Sequence, residues 1–231
     1  MIKKILNFCL DLVFPKNCVG CDKEGSWLCE ECEKGIVLAK KPICAMCGRI
    51  TNNGEFCSRC CSKTFLNGVI ITAYYKDGPI KELIHNFKYE GVFEIGDVLS
   101  EYVIKKLEGA NIGNNILLVP VPLHKQRFRK RGYNQSQIIA KKISKYLNYE
   151  ITENLKRIKN NPAQITLSKK ERIDNVKDIF SWSGSVSSNL KNKTIILIDD
   201  VYTTGSTLNE CAKVLKKLGF RRVWGLVVAR D

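Results

Sequence analysis

The stretch Ile195-Ile196-Leu197-Ile198-Asp199-Asp200-Val201-Tyr202-Thr203-Thr204-Gly205-Ser206-Thr207 decides how this chain is read. Ile195–Ile198 has the make-up of a fully buried strand. Two adjacent carboxylates follow at its carboxyl end, then a turn of hydroxyl residues around one glycine. Leu208, Cys211, Ala212, Leu215 and Leu218 then recur at helical spacing up to Gly219, a C-terminal stop signal. The order is strand, anion loop, helix. Hydroxyls of Thr203, Thr204, Ser206 and Thr207 can donate to phosphate oxygens, and Gly205 lets the backbone turn its N–H groups toward an anion. The helix start behind them adds free N–H groups and a partial positive charge. Asp199 and Asp200 would repel more phosphate but suit a vicinal diol as acceptors. The ligand implied is a ribose 5-phosphate, its diol on the two acids and its phosphate on the loop. No lysine follows the glycine, so this is not the Walker pattern.

Outward from that stretch, strands alternate with helices. Gly68–Tyr75, Asn115–Val119 and Val223–Ala229 read as strands. Ile80–Tyr89, Ile95–Leu107 and Gln135–Leu147 read as helices, with Ile80, Leu83, Ile84 and Phe87 on one inward face and Ile138, Ile139, Ile143 and Leu147 on another. The alternation predicts an α/β domain with a mainly parallel sheet flanked by helices, binding its ligand beyond the carboxyl ends of the strands. One such end is Asp199. Another follows Val119, where Lys125, Arg127, Arg129, Lys130 and Arg131 place five cations in seven residues. Guanidinium forks at Arg127, Arg129 and Arg131 suit pyrophosphate oxygens. Composition alone would make this a solvated basic loop; its place at the end of a buried strand favours an anion site. Lys156–Lys177 is polar and reads as a long mobile loop. His124 is a weak candidate for an acid or ligand, and His85 reads as structural.

Ten of the eleven cysteines lie before residue 62. Cys18/Cys21, Cys29/Cys32, Cys44/Cys47 and Cys57/Cys60 form four CxxC knuckles separated by seven, eleven and nine residues. Two knuckles make a closed four-sulfur site of the kind structural Zn²⁺ adopts. Pairing neighbours gives two tandem zinc ribbons; a cross-braced pairing (18/21 with 44/47, 29/32 with 57/60) and Fe–S ligation are the alternatives. Cys61 is a spare, and Cys9 and Cys211 read as small core residues. Metal-bound thiolates imply a reducing, cytoplasmic setting. Met1–Phe14 reads as a short amphipathic helix stopped by Pro15, too short for a transmembrane segment and without a cleavage site. Packing on the protein is its expected use, membrane-surface contact the alternative. The expected division is residues 1–64, N-terminal helix and ribbons, and residues 65–231, the α/β domain. The net charge of +15, lowered by about four if two Zn²⁺ bind eight thiolates, points to polyanionic partners or to lysine used for solubility.

Asp199–Thr207 resembles the phosphoribosyl-pyrophosphate (PRPP) loop of type I phosphoribosyltransferases. The whole order resembles the ComF (ComF/GntX-like) family. It does so through the N-terminal CxxC repeats, the PVPLH-x-x-R-x-R-x-RG-[FY]-NQ stretch at Pro120–Gln135, Gln164 with Leu167, Arg172 with Asn175, and the DDVYTTGST loop. Tyr133 stands where phenylalanine is common. The resemblance implies the type I phosphoribosyltransferase fold behind a double zinc ribbon. It also implies displacement of pyrophosphate at ribose C1 with Mg²⁺, Asp199 and Asp200 orienting the ribose, and the three arginines stabilising the departing charge. A loop carrying Lys169, Lys170 and Arg172 would close over the site. No C-terminal hood for an acceptor is expected. The family implies a role in DNA uptake and natural transformation. Single-stranded DNA is an expected partner, with Tyr74, Tyr75, Tyr89, Phe128 and Tyr133 stacking bases unless they are buried. A helicase-like competence protein docked on the ribbons is another. Three roles follow: a PRPP-dependent transferase, a single-strand-handling protein that kept a PRPP pocket, or a PRPP-sensing adaptor.

Overall fold

In a computed structural model, residues 15–76, 78–113, 115–159 and 178–231 are described. The expected N-terminal helix, Cys9, and the positions Gln164, Leu167, Lys169, Lys170, Arg172 and Asn175 of the expected loop lie outside them. In chain order the elements are α1 (Glu30–Glu33), β1 (Gly68–Tyr74), α2 (Pro79–Tyr89), α3 (Ile95–Glu108), β2 (Ile116–Pro120), α4 (Lys125–Arg131), α5 (Gln135–Leu147) and β3 (Glu150–Ile151). There follow β4 (Leu155–Arg157), β5 (Phe180–Trp182), α6 (Ser188–Lys191), β6 (Thr194–Tyr202), α7 (Ser206–Lys217) and β7 (Arg222–Arg230).

The apolar runs become the strands of one parallel five-stranded sheet, in the order β1-β7-β6-β2-β3. Both of its faces are covered, as uninterrupted runs of Ile, Leu and Val require. Ile196 and Ile198 face α2, α3 and α5; Ile195 and Leu197 face α7. The inward stripes are the expected ones: Ile80, Leu83, Ile84 and Phe87 on α2, Leu208, Cys211, Ala212 and Leu215 on α7. Each fully buried leucine there contributes about 1.5–3 kcal/mol.

Because α5 follows β2 onto one face and α7 follows β6 onto the other, a crevice opens between the ends of β2 and β6. That is the switch point where such sheets take ligands. The register fixes its depth. Pro120 pairs with Ile198 and β2 ends there, whereas β6 runs on beside β7 to Tyr202. The acid pair therefore lies inside the strand, three and two residues before its end, rather than just after it. One edge of Asp199–Tyr202 is laddered to β7 and the other is open.

Two further elements differ from expectation. The basic segment is not a loop but a helix, α4, started by His124 and ended by Gly132 in the left-handed conformation (φ 80°). The polar stretch begins as β4, which pairs antiparallel with β5 (Leu155↔Trp182, Arg157↔Phe180). Leu155 and Phe180 are buried beneath that strand pair, so Leu155-Lys156-Arg157 forms a strand despite its charge.

The cysteine module grips the sheet edge. Between its halves the chain pairs with β1: Ala39 N–H donates to Thr72 O and Tyr74 N–H to Val37 O, both at 2.9 Å. Val19, Trp27, Leu28 and Ile36 of the first half pack on one face's core, and Cys44, Ala45, Phe56 and Cys60 of the second half join the other.

Candidate functional site

Every residue of the quoted loop from Asp199 to Thr207 lines one cavity of about 600 Å³. Asp199 and Thr204 thus share a hollow. The loop is preformed. Gly205 has φ 74°, and a Cβ there would fall 2.4 Å from the Tyr202 hydroxyl oxygen, so only glycine fits. Thr204 and Ser206 hydroxyls lie 2.9 Å apart, and Ser206 N–H donates to Thr204 Oγ1 at 3.4 Å. Gly205 caps α7 without a side chain, leaving the first-turn amides of a twelve-residue helix facing the hollow.

Opposite the loop stand cations. Lys88 of α2 reaches Asp200 Oδ1 at 2.8 Å with both side chains largely buried. Burial works to lower the Lys88 ammonium, but the Asp200 carboxylate outweighs it and holds the group above its usual range. Asp199 is pushed up to about 7, first by burial and then by the Asp200 charge, against the pull of Lys88 and of Ser136, whose hydroxyl lies 3.4 Å away. Arg127, Lys130 and Arg131 of α4 and Arg157 of β4 complete the wall. Arg157 is driven down to about 10 by burial and by Arg127, and it has no carboxylate partner among the described residues. Arg131 lies over the Tyr89 ring at 5.0 Å and donates to Gln135 Oε1 at 3.2 Å, a pre-set guanidinium.

The register of β2 against β6 puts these parts together. Val121 N–H donates to Ile198 O at 2.9 Å, so the segment leading to α4 leaves the sheet beside the acids. Asn134 caps α5 and donates back to Val121 O at 3.0 Å, closing the turn. Arg129 is exposed and does not line the hollow. His124 serves α4 as its N-cap, accepting from Gln126 N–H at 3.2 Å. His85 is exposed against Tyr89. Tyr75 and Tyr89 line the cavity; Tyr133 is tied by its hydroxyl to Phe87 O at 2.6 Å. Lys88 and Arg157 were not legible as site residues: one is the last-turn lysine of an amphipathic helix, the other one cation in a polar stretch. Leu155-Lys156-Arg157-Ile158 lacks the period-two alternation that would have marked the second as part of a strand.

The cysteines gather as two tetrads, Cys18/Cys21/Cys29/Cys32 and Cys44/Cys47/Cys57/Cys60, with sulfurs within 4.8 Å of one another. This is the neighbour pairing and excludes the cross-braced one. Cys21–Cys29 and Cys47–Cys57 sulfurs are 3.6 Å apart, close to the ~3.8 Å edge of a tetrahedron built on Zn–S bonds of about 2.3 Å. Cys29 N–H points at Cys18 Sγ (3.3 Å) and Cys32 N–H at Cys29 Sγ (3.5 Å), as thiolate ligands require. Four sulfurs leave no open position, so these centres suit structural Zn²⁺. Cys61 stays outside them, bonded to Ser58 O; Cys211 is fully buried in the core.

Known proteins bear on both parts. Residues 9–61 match the double zinc ribbon domain and residues 130–230 the phosphoribosyl transferase domain. Competence protein F of Haemophilus influenzae is 34% identical over 211 residues, covering 87% of this chain and 90% of that one. DNA utilization protein YhgH of Escherichia coli K12 is 29% identical with 87% and 91% covered. Competence protein ComFC of Bacillus subtilis is 27% identical over 198 residues, with 83% and 79% covered. With a phosphoribosyltransferase fold, a four-cysteine cluster on either side of its sheet edge and likeness along nearly its whole length to a competence protein, the chain belongs to the ComF family.

Proposed function

We propose that this protein binds PRPP at the switch-point cavity and acts in the uptake and handling of DNA. One observation carries the reading: an acid pair, a hydroxyl–glycine loop at a helix start, and the cations Arg127, Lys130, Arg131 and Arg157 line the same hollow. The ribose 5-phosphate group sits on Thr203–Thr207, its diol accepted by Asp199 and Asp200. Pyrophosphate extends toward Arg127 and Arg131, whose guanidinium forks match its oxygens. Asp199 and Asp200 are the hard oxygen donors present, and Lys88 already engages Asp200. A Mg²⁺ arriving with PRPP would take most of its ligands from pyrophosphate and water, and supply charge neutralisation there.

The arrangement suits displacement at C1. The loop and acids hold the ribose, and the arginines stabilise charge building on pyrophosphate, so positioning and electrostatics do the chemistry without a side-chain base. The names of the relatives, competence and DNA utilization, support the biological setting. So does the net charge of +15, which favours single-stranded DNA as a partner. A second reading, a PRPP-sensing adaptor for a helicase-like protein, is favoured by Val37, Leu38, Met46 and Ile50, apolar and exposed on and between the ribbons.

Thermal unfolding with PRPP and Mg²⁺ tests the pocket. A ligand near a hundredfold its Kd stabilises by about 2.7 kcal/mol, and that shift is expected for PRPP and lost in Asp199→Asn/Asp200→Asn. An unmoved midpoint at saturating PRPP rules the reading out. Pyrophosphate release then separates transferase from sensor.

A further inference from the structure

The far side of α4 lines a second cavity, of about 460 Å³. The helix is the wall between the two. Arg127, Lys130 and Arg131 face the first hollow, whereas His124, Lys125 and Phe128 face the second. Pro122, Leu123 and Arg157 border both. The volume falls in the ~300–1,000 Å³ range of small-ligand sites, and no step of the phosphoribosyl reading uses it.

Its chemistry is specific. Pro122, Leu123 and Leu155 make apolar walls, and Phe128 and Ile158 stand 45% and 57% exposed at its rim although both are large and hydrophobic. The single acid on the lining, Glu153, is already spent on Gln137 Nε2 at 2.5 Å and Lys141 at 3.6 Å. Three cations remain: Lys125, Lys156 and Arg157. His124 accepts at Nδ1 from Gln126 N–H, so the neutral ring carries its proton on Nε2 as a donor. Partial desolvation, then Arg157, Arg127 and Lys125, keep it neutral by holding it below the usual range.

An aromatic face over apolar walls, one donor and three cations without a free acid fit a flat heteroaromatic ring that carries a phosphate. We propose that this cavity is a subsite for one nucleotide unit: the base stacks on Phe128 against Leu123 and Ile158, and the phosphate lies among Lys125, Lys156 and Arg157. It goes beyond the PRPP reading and does not depend on it. It is not the acceptor site of a transfer, because it opens behind the helix that would receive the leaving pyrophosphate, and displacement needs the acceptor on the other side of C1. The unit comes either as a free mononucleotide or as one residue of a single strand; the recognising chemistry is the same.

The test is calorimetric titration of the full chain with dTMP, dAMP and a short oligo(dT), with PRPP and Mg²⁺ saturating the first cavity and ribose 5-phosphate as the control lacking a base. Nucleotide binding is expected, weakened at least tenfold by Phe128→Ala, consistent with about 1–3 kcal/mol per stacked base, and kept by Phe128→Trp. PRPP binding is expected to stay within about twofold in both variants. Equal affinity of dTMP and the oligonucleotide identifies a free-nucleotide site; a much tighter oligonucleotide with the same Phe128 dependence identifies a strand site. Nucleotide affinity indifferent to Phe128→Ala, or no binding at about 1 mM of any probe, overturns the proposal. Phe128-dependent nucleotide binding by a chain that fails to bind PRPP would sink only the reading of the first cavity.

Discussion

A carboxylate walled by packed strand and helix and set beside a second carboxylate resists ionising, and Asp199 is held near 7 for those two reasons, burial first. The unfolded chain ionises it near 3.9. Between those values the native state holds a proton that the unfolded state has released, so this group's contribution to stability falls as pH rises from about 4 through about 7. Asp199→Asn removes the penalty. Urea unfolding at pH 8 is expected to show the variant more stable by about 1–3 kcal/mol, while near pH 4 the two proteins differ little. PRPP binding is expected to fall in the same variant, because an amide is a poorer acceptor for a diol and adds donors where none is wanted. A variant that is less stable at pH 8 would mean that Asp199 is ionised at little cost and that Lys88 compensates both acids rather than Asp200 alone. Stability given up at a candidate site residue is the ordinary exchange between fold and function.

At the scale of elements, α4 decides which arginines matter. Residues four apart on a helix lie about 40° from each other and residues two apart about 200°. Arg127 and Arg131 therefore share the face toward the acids, and Arg129 turns to solvent. In PRPP titrations Arg127→Gln and Arg131→Gln are each expected to cost about tenfold, the scale of a lost charge-assisted contact, and Arg129→Gln less than about twofold. A loss with Arg129→Gln equal to the others would show that the segment acts as an extended loop when ligand is bound. The alternation of these arginines along the sequence suggested equivalence because a basic run has no apolar residues to reveal its period. Only Phe128 interrupts it, and one residue carries no periodicity. Where apolar residues did mark the period, the reading held: α2, α5 and α7 have their expected inward faces, and the parallel sheet follows from runs such as Ile195–Ile198. The loop at Thr203–Thr207 was legible because its glycine and hydroxyls are needed locally. Lys88 and Arg157 were not, since what makes them part of the site is the distance between elements far apart in sequence, and that is set by packing.

Across the whole molecule the two four-cysteine clusters hold unequal positions. In the second, Ile43, Cys44, Ala45, Phe56 and Cys60 are buried and continue the core that contains α7 and one face of β6. In the first, Cys18 is the one buried residue between 15 and 36, and its apolar side chains only lean on the opposite core. A metal that closes a cluster contributes its binding energy to whatever is folded with it. Losing the second should therefore loosen the face of the sheet that supports the Thr203–Thr207 loop, whereas losing the first should leave that face packed. Cys44→Ser/Cys47→Ser is expected to lose about 3 kcal/mol or more and, for a chain of this size, to lower the unfolding midpoint by roughly 6–12 °C, with PRPP binding weakened alongside. Cys18→Ser/Cys21→Ser is expected to lower the midpoint by less than half as much and to leave PRPP affinity within about twofold. Zinc content measured on each variant, one ion in place of two, checks that each pair disarms one site alone. Equal losses of midpoint with intact PRPP binding would mean that the ribbons fold as one unit beside the sheet and that the burial of Cys44, Phe56 and Cys60 does not couple the metal to the site.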